Sequence, residues 1–202
     1  AKIESTESSN RLEGVLVRKG RVADLVHYDE RPRDRSEQEI AGYRDALALI
    51  HDSANHMPFS VNVIKQLHKT VYSYLPEDRG TWKAAQNDIV ERDPSGNVVG
   101  VRFRPPGPIE TPQAMADLGI DYRRAADIDR AEELILVPLA ILDFLCIHPF
   151  SDGNGRVGRL LSLMLLYHFG YEVGRYISLE RVVEDSRETY YEALEASSKG
   201  WH

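Results

Sequence analysis

Apolar residues recur at helical spacing through most of the chain and at strand spacing in one short stretch. Ile40, Tyr43, Leu47 and Ile50 predict a helix over residues 37–54, opened by the capping box Ser36-Glu37-Gln38-Glu39. Ile64, Leu67, Val71 and Tyr74 predict a second helix, capped by Ser60 and stopped by Pro76. Residues 15–35 mix short apolar runs with charge and read as irregular with one helical turn. Beyond Pro76-Glu77-Asp78-Arg79-Gly80 the period shortens. Asn87–Arg92 and Val98–Arg104 read as strands around the turn sequence Asp93-Pro94-Ser95-Gly96-Asn97. Two strands make no large sheet, so this hairpin must pack on something else.

Pro105-Pro106-Gly107-Pro108 breaks the chain, and Thr111-Pro112 restarts it as a helix with Thr at the N-cap and Pro at the first helical position. Met115, Leu118 and Tyr122 form its inner face. The next helix begins between Asp127 and Asp129 and runs to Ile147. Its apolar residues lie on nearly all sides, which predicts the central buried helix, kinked or divided by Pro138. A further helix runs from Asn154 to Phe169 with Gly170 past its end, its Leu160, Leu161, Leu163, Met164, Leu165 and Leu166 in the core. A last amphipathic helix lies between Ser178 and Ser198. Residues 1–14 are polar: either a short helix closed by Gly14 or a frayed terminus. The pattern predicts a mainly α fold with a small β-hairpin.

Composition narrows the class without choosing a function. A chain of 202 residues can bury one good core and leaves two small ones open. With 25 Lys+Arg against 32 Asp+Glu the net charge is −7, which argues against a broad nucleic-acid surface, so any anion site is local. One cysteine, Cys146, excludes an intrachain disulfide and sits in an apolar run as a buried structural thiol. His51 and His56 fall off the apolar stripe and read as surface or linker residues; His68 reads as packed. The run Leu134–Ile147 is too short and interrupted for a membrane span, and no signal peptide is visible. A cytoplasmic location is the default, and Ala1 in place of methionine points to a trimmed start.

The chemistry concentrates at His148-Pro149-Phe150-Ser151-Asp152-Gly153-Asn154-Gly155-Arg156-Val157-Gly158-Arg159. A helix opening straight after a Gly-rich loop aims unpaired N–H groups and its positive dipole end at the loop, and phosphate suits that position. Arg156 and Arg159 add two positive charges on the first helical turn. Asp152 is an oxygen donor suited to Mg²⁺. His148 is suited to accept a proton near neutral pH. Phosphoryl-group chemistry is the leading reading; a tight helix–loop–helix corner with solvated arginines is the bland one.

The same twelve residues match, position for position, the HPFx(D/E)GNGRxxR signature, and on them the chain resembles the Fic family, enzymes that mostly transfer AMP from ATP to protein hydroxyls. The resemblance implies one Fic-type domain over residues 1–202, with a catalytic loop and helix at 148–170 and a hairpin flap at 86–104. It implies His148 as base toward a Ser, Thr or Tyr hydroxyl of a target protein, and Asp152 holding Mg²⁺. Gly153, Asn154 and Gly155 would hold the α-phosphate, Arg156 and Arg159 the β- and γ-phosphates. Ser9 to Gly14 resembles the family's inhibitory (S/T)xxxE(G/N) sequence in its N-terminal placement, which implies that Glu13 pairs with Arg159 and obstructs ATP. The flap implies pairing of an extended target segment along Asn87, Asp88, Ile89, Val99 and Val101. Tyr191 falls where an adenosine contact is expected, and Ser198 stands where asparagine is often found. Some relatives transfer UMP, phosphocholine or phosphate, or remove AMP. A non-catalytic nucleotide-binding module, a helical adaptor, a homodimer and a C-terminal winged-helix module beyond His202 all remain open. No membrane or direct nucleic-acid partner is expected.

Overall fold

A computed structural model describes residues 1–201 apart from Lys19, Tyr28, Asp29, Glu77 and Asp78, and describes Arg92 without its side chain. The chain forms two compact units, residues 1–81 with 155–187 and residues 82–154 with 188–202. The mainly α fold with one small hairpin is observed.

The first unit contains α1 (Lys2–Leu12), α2 (Arg21–His27), α3 (Arg35–Ser53), α4 (Val61–Val71), α7 (Asn154–His168, entering this unit at Gly155) and α8 (Leu179–Asp185). Its core is largely the predicted one, with Leu166 only partly buried and Tyr74 exposed. Ile40, Tyr43, Leu47 and Ile50 of α3 and Ile64, Leu67 and Val71 of α4 are buried, as are Leu160, Leu161, Leu163, Met164 and Leu165 of α7. Burying such side chains stabilises by roughly 1.5–3 kcal/mol each. Helices α3 and α4 approach so closely that a Cβ on Gly42 would lie 1.9 Å from the Val71 carbonyl oxygen.

Several boundaries differ from expectation. The N-cap of α3 is Asp34, whose carboxylate accepts the Glu37 N–H at 2.9 Å. Glu37 is taken instead by Arg21, whose Nε and Nη2 donate to its two oxygens at 2.8 and 2.9 Å. Ser60 caps α4 as predicted, accepting from Val63 N–H. Helix α4 stops at Val71, so Tyr74 lies beyond it. The predicted turn at 76–80 includes Glu77 and Asp78, which lie outside the described residues. His51 is not at the surface: it is buried, with Nδ1 2.9 Å from the Tyr167 hydroxyl. His68 is packed as expected, its Nδ1 accepting from Gly80 N–H at 2.9 Å.

Polar groups make up most of the buried side of α1: Ser5, Thr6, Ser8, Ser9 and Asn10, with Leu12. It packs against α2, α3 and α8. Arg11 Nη1 reaches Glu184 Oε1 at 2.9 Å, and the Tyr43 hydroxyl donates to Glu180 at 2.9 Å. Gly14 follows the helix with φ +78, so the terminus is a capped helix.

The second unit holds β1 (Ile89–Arg92), β2 (Val98–Phe103), α5 (Thr111–Arg123), α6 (Glu133–Ile147) and α9 (Arg187–Ser198, in this unit from Glu188). The strands pair antiparallel, Val90 opposite Val101, around a turn in which Asp93 accepts from Ser95 and Asn97 N–H groups at 2.9 Å. Glu110 is the N-cap residue of α5 rather than Thr111, because the Thr111 hydroxyl donates to the Gly107 carbonyl at 2.8 Å. Met115, Leu118 and Tyr122 are buried as predicted. A π turn at Arg124–Ile128 delays α6, which then runs unbroken through Pro138. Helix α6 is not buried all round: Leu134, Ile135 and Leu139 are more than half exposed. The predicted last helix is two, α8 and α9, separated at Ser186.

Candidate active site

In the second unit α6 ends at His148, which adopts φ 49, ψ 58 and caps the helix by donating its N–H to the Phe144 carbonyl at 3.0 Å. A left-handed non-glycine residue costs about 1–2 kcal/mol, so its surroundings must hold it. They do. The Phe150 ring is fully buried, against Trp82 at 5.1 Å and Phe144 at 6.4 Å between ring centroids. The buried Lys83 ammonium donates to the Ile147 carbonyl at 3.1 Å and to Asn87 Oδ1 at 2.8 Å. Burial pulls the Lys83 pKa down to about 8. Asn87 Nδ2 donates to the carbonyls of His148 at 3.1 Å and Phe150 at 2.8 Å.

His148 Nδ1 lies 3.2 Å from the Leu145 carbonyl oxygen. A carbonyl only accepts, so this contact puts the ring proton on Nδ1 and the lone pair on Nε2. Asp152 is exposed, and its Oδ1 accepts the Gly153 N–H at 2.6 Å. Gly153 takes φ +80, which only glycine adopts without strain. Expected on a phosphate, the buried Asn154 side chain is instead bonded at both ends to Phe150: Oδ1 accepts its N–H at 3.0 Å and Nδ2 donates to its carbonyl at 2.8 Å. It staples the loop that opens α7.

In the first unit the two arginines of α7 have separate fates. Arg156 is 1% exposed; its Nη1 reaches Glu39 at 2.6 Å, its Nη2 the Tyr72 hydroxyl at 2.7 Å, and its guanidinium lies 5.1 Å from the Tyr72 ring. This geometry does not support the phosphate role expected for Arg156, since its charge is engaged by a buried carboxylate. Three residues apart is 60° around a helix, enough to send Arg156 into the core and Arg159 toward α1. Arg159 Nε donates to the Ser9 hydroxyl at 2.8 Å, and Nη2 to the Ser9 carbonyl at 3.0 Å and Glu13 Oε1 at 2.7 Å. The same Glu13 oxygen would meet a Cβ on Gly155 at 2.4 Å, so the carboxylate lies directly over the first turn of α7. Anions favour that position.

Of the expected flap contacts, Val99 and Val101 are exposed on β2. Ile89 is partly buried opposite Phe103, and Asp88 accepts from Arg104 at 3.2 Å and from Gln86 at 2.8 Å. Asn87 turns its amide to the loop carbonyls of His148 and Phe150. Tyr191 lies on α9, about a third exposed, with its ring 5.4 Å from that of Tyr190. Cys146 is buried and its thiol pushed up to about 11 by that burial, so it is structural. Sequence reasoning missed Lys83, Glu39 and Tyr72. A lone lysine in a polar stretch and a glutamate facing inward give no periodic sign of their partners.

A mainly helical fold with a hairpin, in which a left-handed histidine leads into a glycine-rich loop opening the next helix, defines the class of Fic-like helical proteins. The model of the Fic/DOC family matches residues 58–166, and the chain belongs to that family. It is 33% identical over 171 residues to a protein adenylyltransferase Fic from Culex quinquefasciatus, covering 80% of this chain and 29% of that protein. It is 33% identical over 103 residues to a probable protein adenylyltransferase from Aquifex aeolicus, covering 51% and 29%. Among solved structures it resembles a Fic domain containing signaling protein from Bacteroides thetaiotaomicron, with TM-score 0.78 and 27% identity over 96% of this chain and 70% of that one. A Fic family protein from Desulfovibrio desulfuricans shares the fold, with TM-score 0.76 and 21% identity over 98% and 57%. The chain spans less than a third of the length of these two adenylyltransferases. Among the described residues no helix is long and apolar enough to cross a membrane.

Proposed function

We propose that this chain transfers AMP from ATP to a hydroxyl side chain of a target protein. The observation that carries the reading is the His148 ring, whose Nδ1 lies 3.2 Å from the Leu145 carbonyl oxygen, a contact that assigns the proton to Nδ1 and leaves Nε2 to accept one. The target hydroxyl attacks the α-phosphorus as Nε2 takes its proton. A new O–P bond forms, the bond from the α-phosphorus to the bridging oxygen breaks, and pyrophosphate leaves. N–H groups at the start of α7, from Asn154 and Gly155, stabilise the charge on the α-phosphate oxygens, joined by that of Gly153 when Asp152 Oδ1 releases it. Arg159 takes the distal phosphates once Glu13 has left it. Arg156 contributes by fixing α7.

Asp152 fits a magnesium ion carried in with the nucleotide. A single exposed carboxylate suits a cation that keeps waters and takes other ligands from phosphates. Among the described residues no cluster of three or more His, Cys, Asp or Glu side chains could hold an ion alone. Bound there, Mg²⁺ would neutralise charge developing on the leaving pyrophosphate. The hairpin, with Val99 and Val101 exposed, supplies strand edge for an extended target segment.

The relatives named protein adenylyltransferases support this reading. ATP labelled separately at the α- and γ-phosphates tests it. With Mg²⁺ and Glu13→Gly chain, α-label should become protein-bound while γ-label is released in pyrophosphate. Protein-bound γ-label, or no bound label from either, would overturn it.

A further inference from the structure

Four consecutive carbonyls around His148 are gathered by two side chains and one amide from a single short segment of the second unit. Lys83 Nζ holds the Ile147 carbonyl at 3.1 Å, and Asn87 Nδ2 the His148 carbonyl at 3.1 Å. Lys83 N–H holds the Pro149 carbonyl at 2.9 Å, and Asn87 Nδ2 also the Phe150 carbonyl at 2.8 Å. Lys83 and Asn87 are themselves joined, Nζ to Oδ1, at 2.8 Å. Lys83 is 3% exposed, an unusual position for a lysine unless its ammonium is bonded. The backbone they grip contains the left-handed residue, His148, and no positive-φ glycine until Gly153.

We infer that Lys83 and Asn87 are positioning residues: together they clamp the 147–150 backbone so that the His148 ring keeps its Nδ1–H on Leu145 and presents Nε2 to the substrate hydroxyl. The inference rests on the proposed role of His148 but adds residues outside the family's signature stretch. The physics is direct. The carbonyls of residues 147 to 150 fix the peptide planes on both sides of His148, and the φ, ψ pair of that residue sets where its Cβ points. Releasing one plane lets the residue relax toward right-handed or extended geometry and swings the ring away. A small misplacement of a reacting group costs on the order of a hundredfold in rate while leaving substrate binding alone.

The test uses the full chain carrying Glu13→Gly, with Lys83→Met, Asn87→Ala and His148→Ala added singly. Lys83→Met and Asn87→Ala should lower kcat for AMP transfer by about 10- to 100-fold with the KM for ATP within twofold. In ¹⁵N-histidine spectra both should lose the Nδ1–H preference of the His148 ring. If Lys83→Met does not fold, Asn87→Ala decides, since Asn87 is only half-buried. A folded Asn87→Ala chain with unchanged kcat, with its loss confined to KM, or with an unchanged His148 spectrum overturns the clamp. The spectrum needs no turnover. If the parent chain transfers nothing, or His148→Ala transfers as well as its parent, the enzymatic reading falls and the spectrum alone still decides the clamp.

Discussion

Replacing Glu13 is the perturbation with the most informative magnitude. Its carboxylate makes a 2.7 Å charge-assisted bond to Arg159 and lies over Gly155 on the first turn of α7. A hydrogen bond to a charged group contributes about 1.5–3 kcal/mol. The Glu13 side chain is 28% exposed, which screens the pair and argues for the lower part of that range. Taking roughly 1.5–2.5 kcal/mol and a tenfold change per 1.4 kcal/mol, an ATP phosphate competing for Arg159 should gain about 10- to 60-fold. Glu13→Gly should therefore raise automodification with α-labelled ATP by about that factor at subsaturating ATP. Glu13→Gln, which keeps the bulk over Gly155 and removes the charge, should recover only part of it. Equal labelling of wild type and Glu13→Gly across an ATP titration would refute the competition.

The remaining predictions concern the scaffold around the site. Arg156→Ala removes one of the two guanidinium partners of Glu39, leaving Arg35 Nε at 3.0 Å, and should cost about 1.5–3 kcal/mol, read from denaturant midpoints. Gly42→Ala forces a Cβ into the Val71 carbonyl and should destabilise by about 1–3 kcal/mol or block folding, read by the same titration. Burial lowers the His51 pKa from 6.5 to about 4. Between those values the unfolded chain binds the proton and the folded chain does not, so stability should fall as pH drops from 6.5 toward 4. His51→Gln should flatten that limb of a Tm-against-pH curve; an unaltered slope would refute it. Glu37, held down to about 2 chiefly by its hydrogen bonds from Arg21, adds stability above pH 4.5 that is lost as pH falls toward 2. Glu37→Gln should remove that second acid limb, measured in the same way.

The sequence made the helices and the twelve-residue stretch 148–159 legible because periodicity and spacing are local properties. Ile40 to Ile50, Ile64 to Val71 and Leu160 to Leu165 needed only a 3.6-residue period. Gly14 and Ser60 declared helix ends through their own backbone and hydroxyl chemistry. What escaped was every feature decided by a distant partner. Asp34 displaced Ser36 at the α3 cap, and Glu37 turned to Arg21. His51 went inside because Tyr167, 116 residues away, offered its hydroxyl. Arg156 reads as a phosphate ligand by its spacing, but Glu39 and Tyr72 hold its guanidinium in the core. Helix α6 looked central because its apolar residues surround it, yet one side stays exposed, which composition cannot reveal. Lys83 and Asn87 act on main-chain carbonyls, and those leave no trace in residue type. The Glu13 pairing with Arg159 was expected from resemblance alone; nothing in the composition of residues 1–14 pointed to it.

The claim that His148 drives AMP transfer faces its most direct test in the intact mass of the Glu13→Gly chain after incubation with ATP and Mg²⁺. The account predicts a gain of one or more adenylyl groups, abolished by adding His148→Ala while that double variant still binds ATP. An adenylyl gain that survives His148→Ala, or a chain whose mass never changes although it binds ATP, would contradict it.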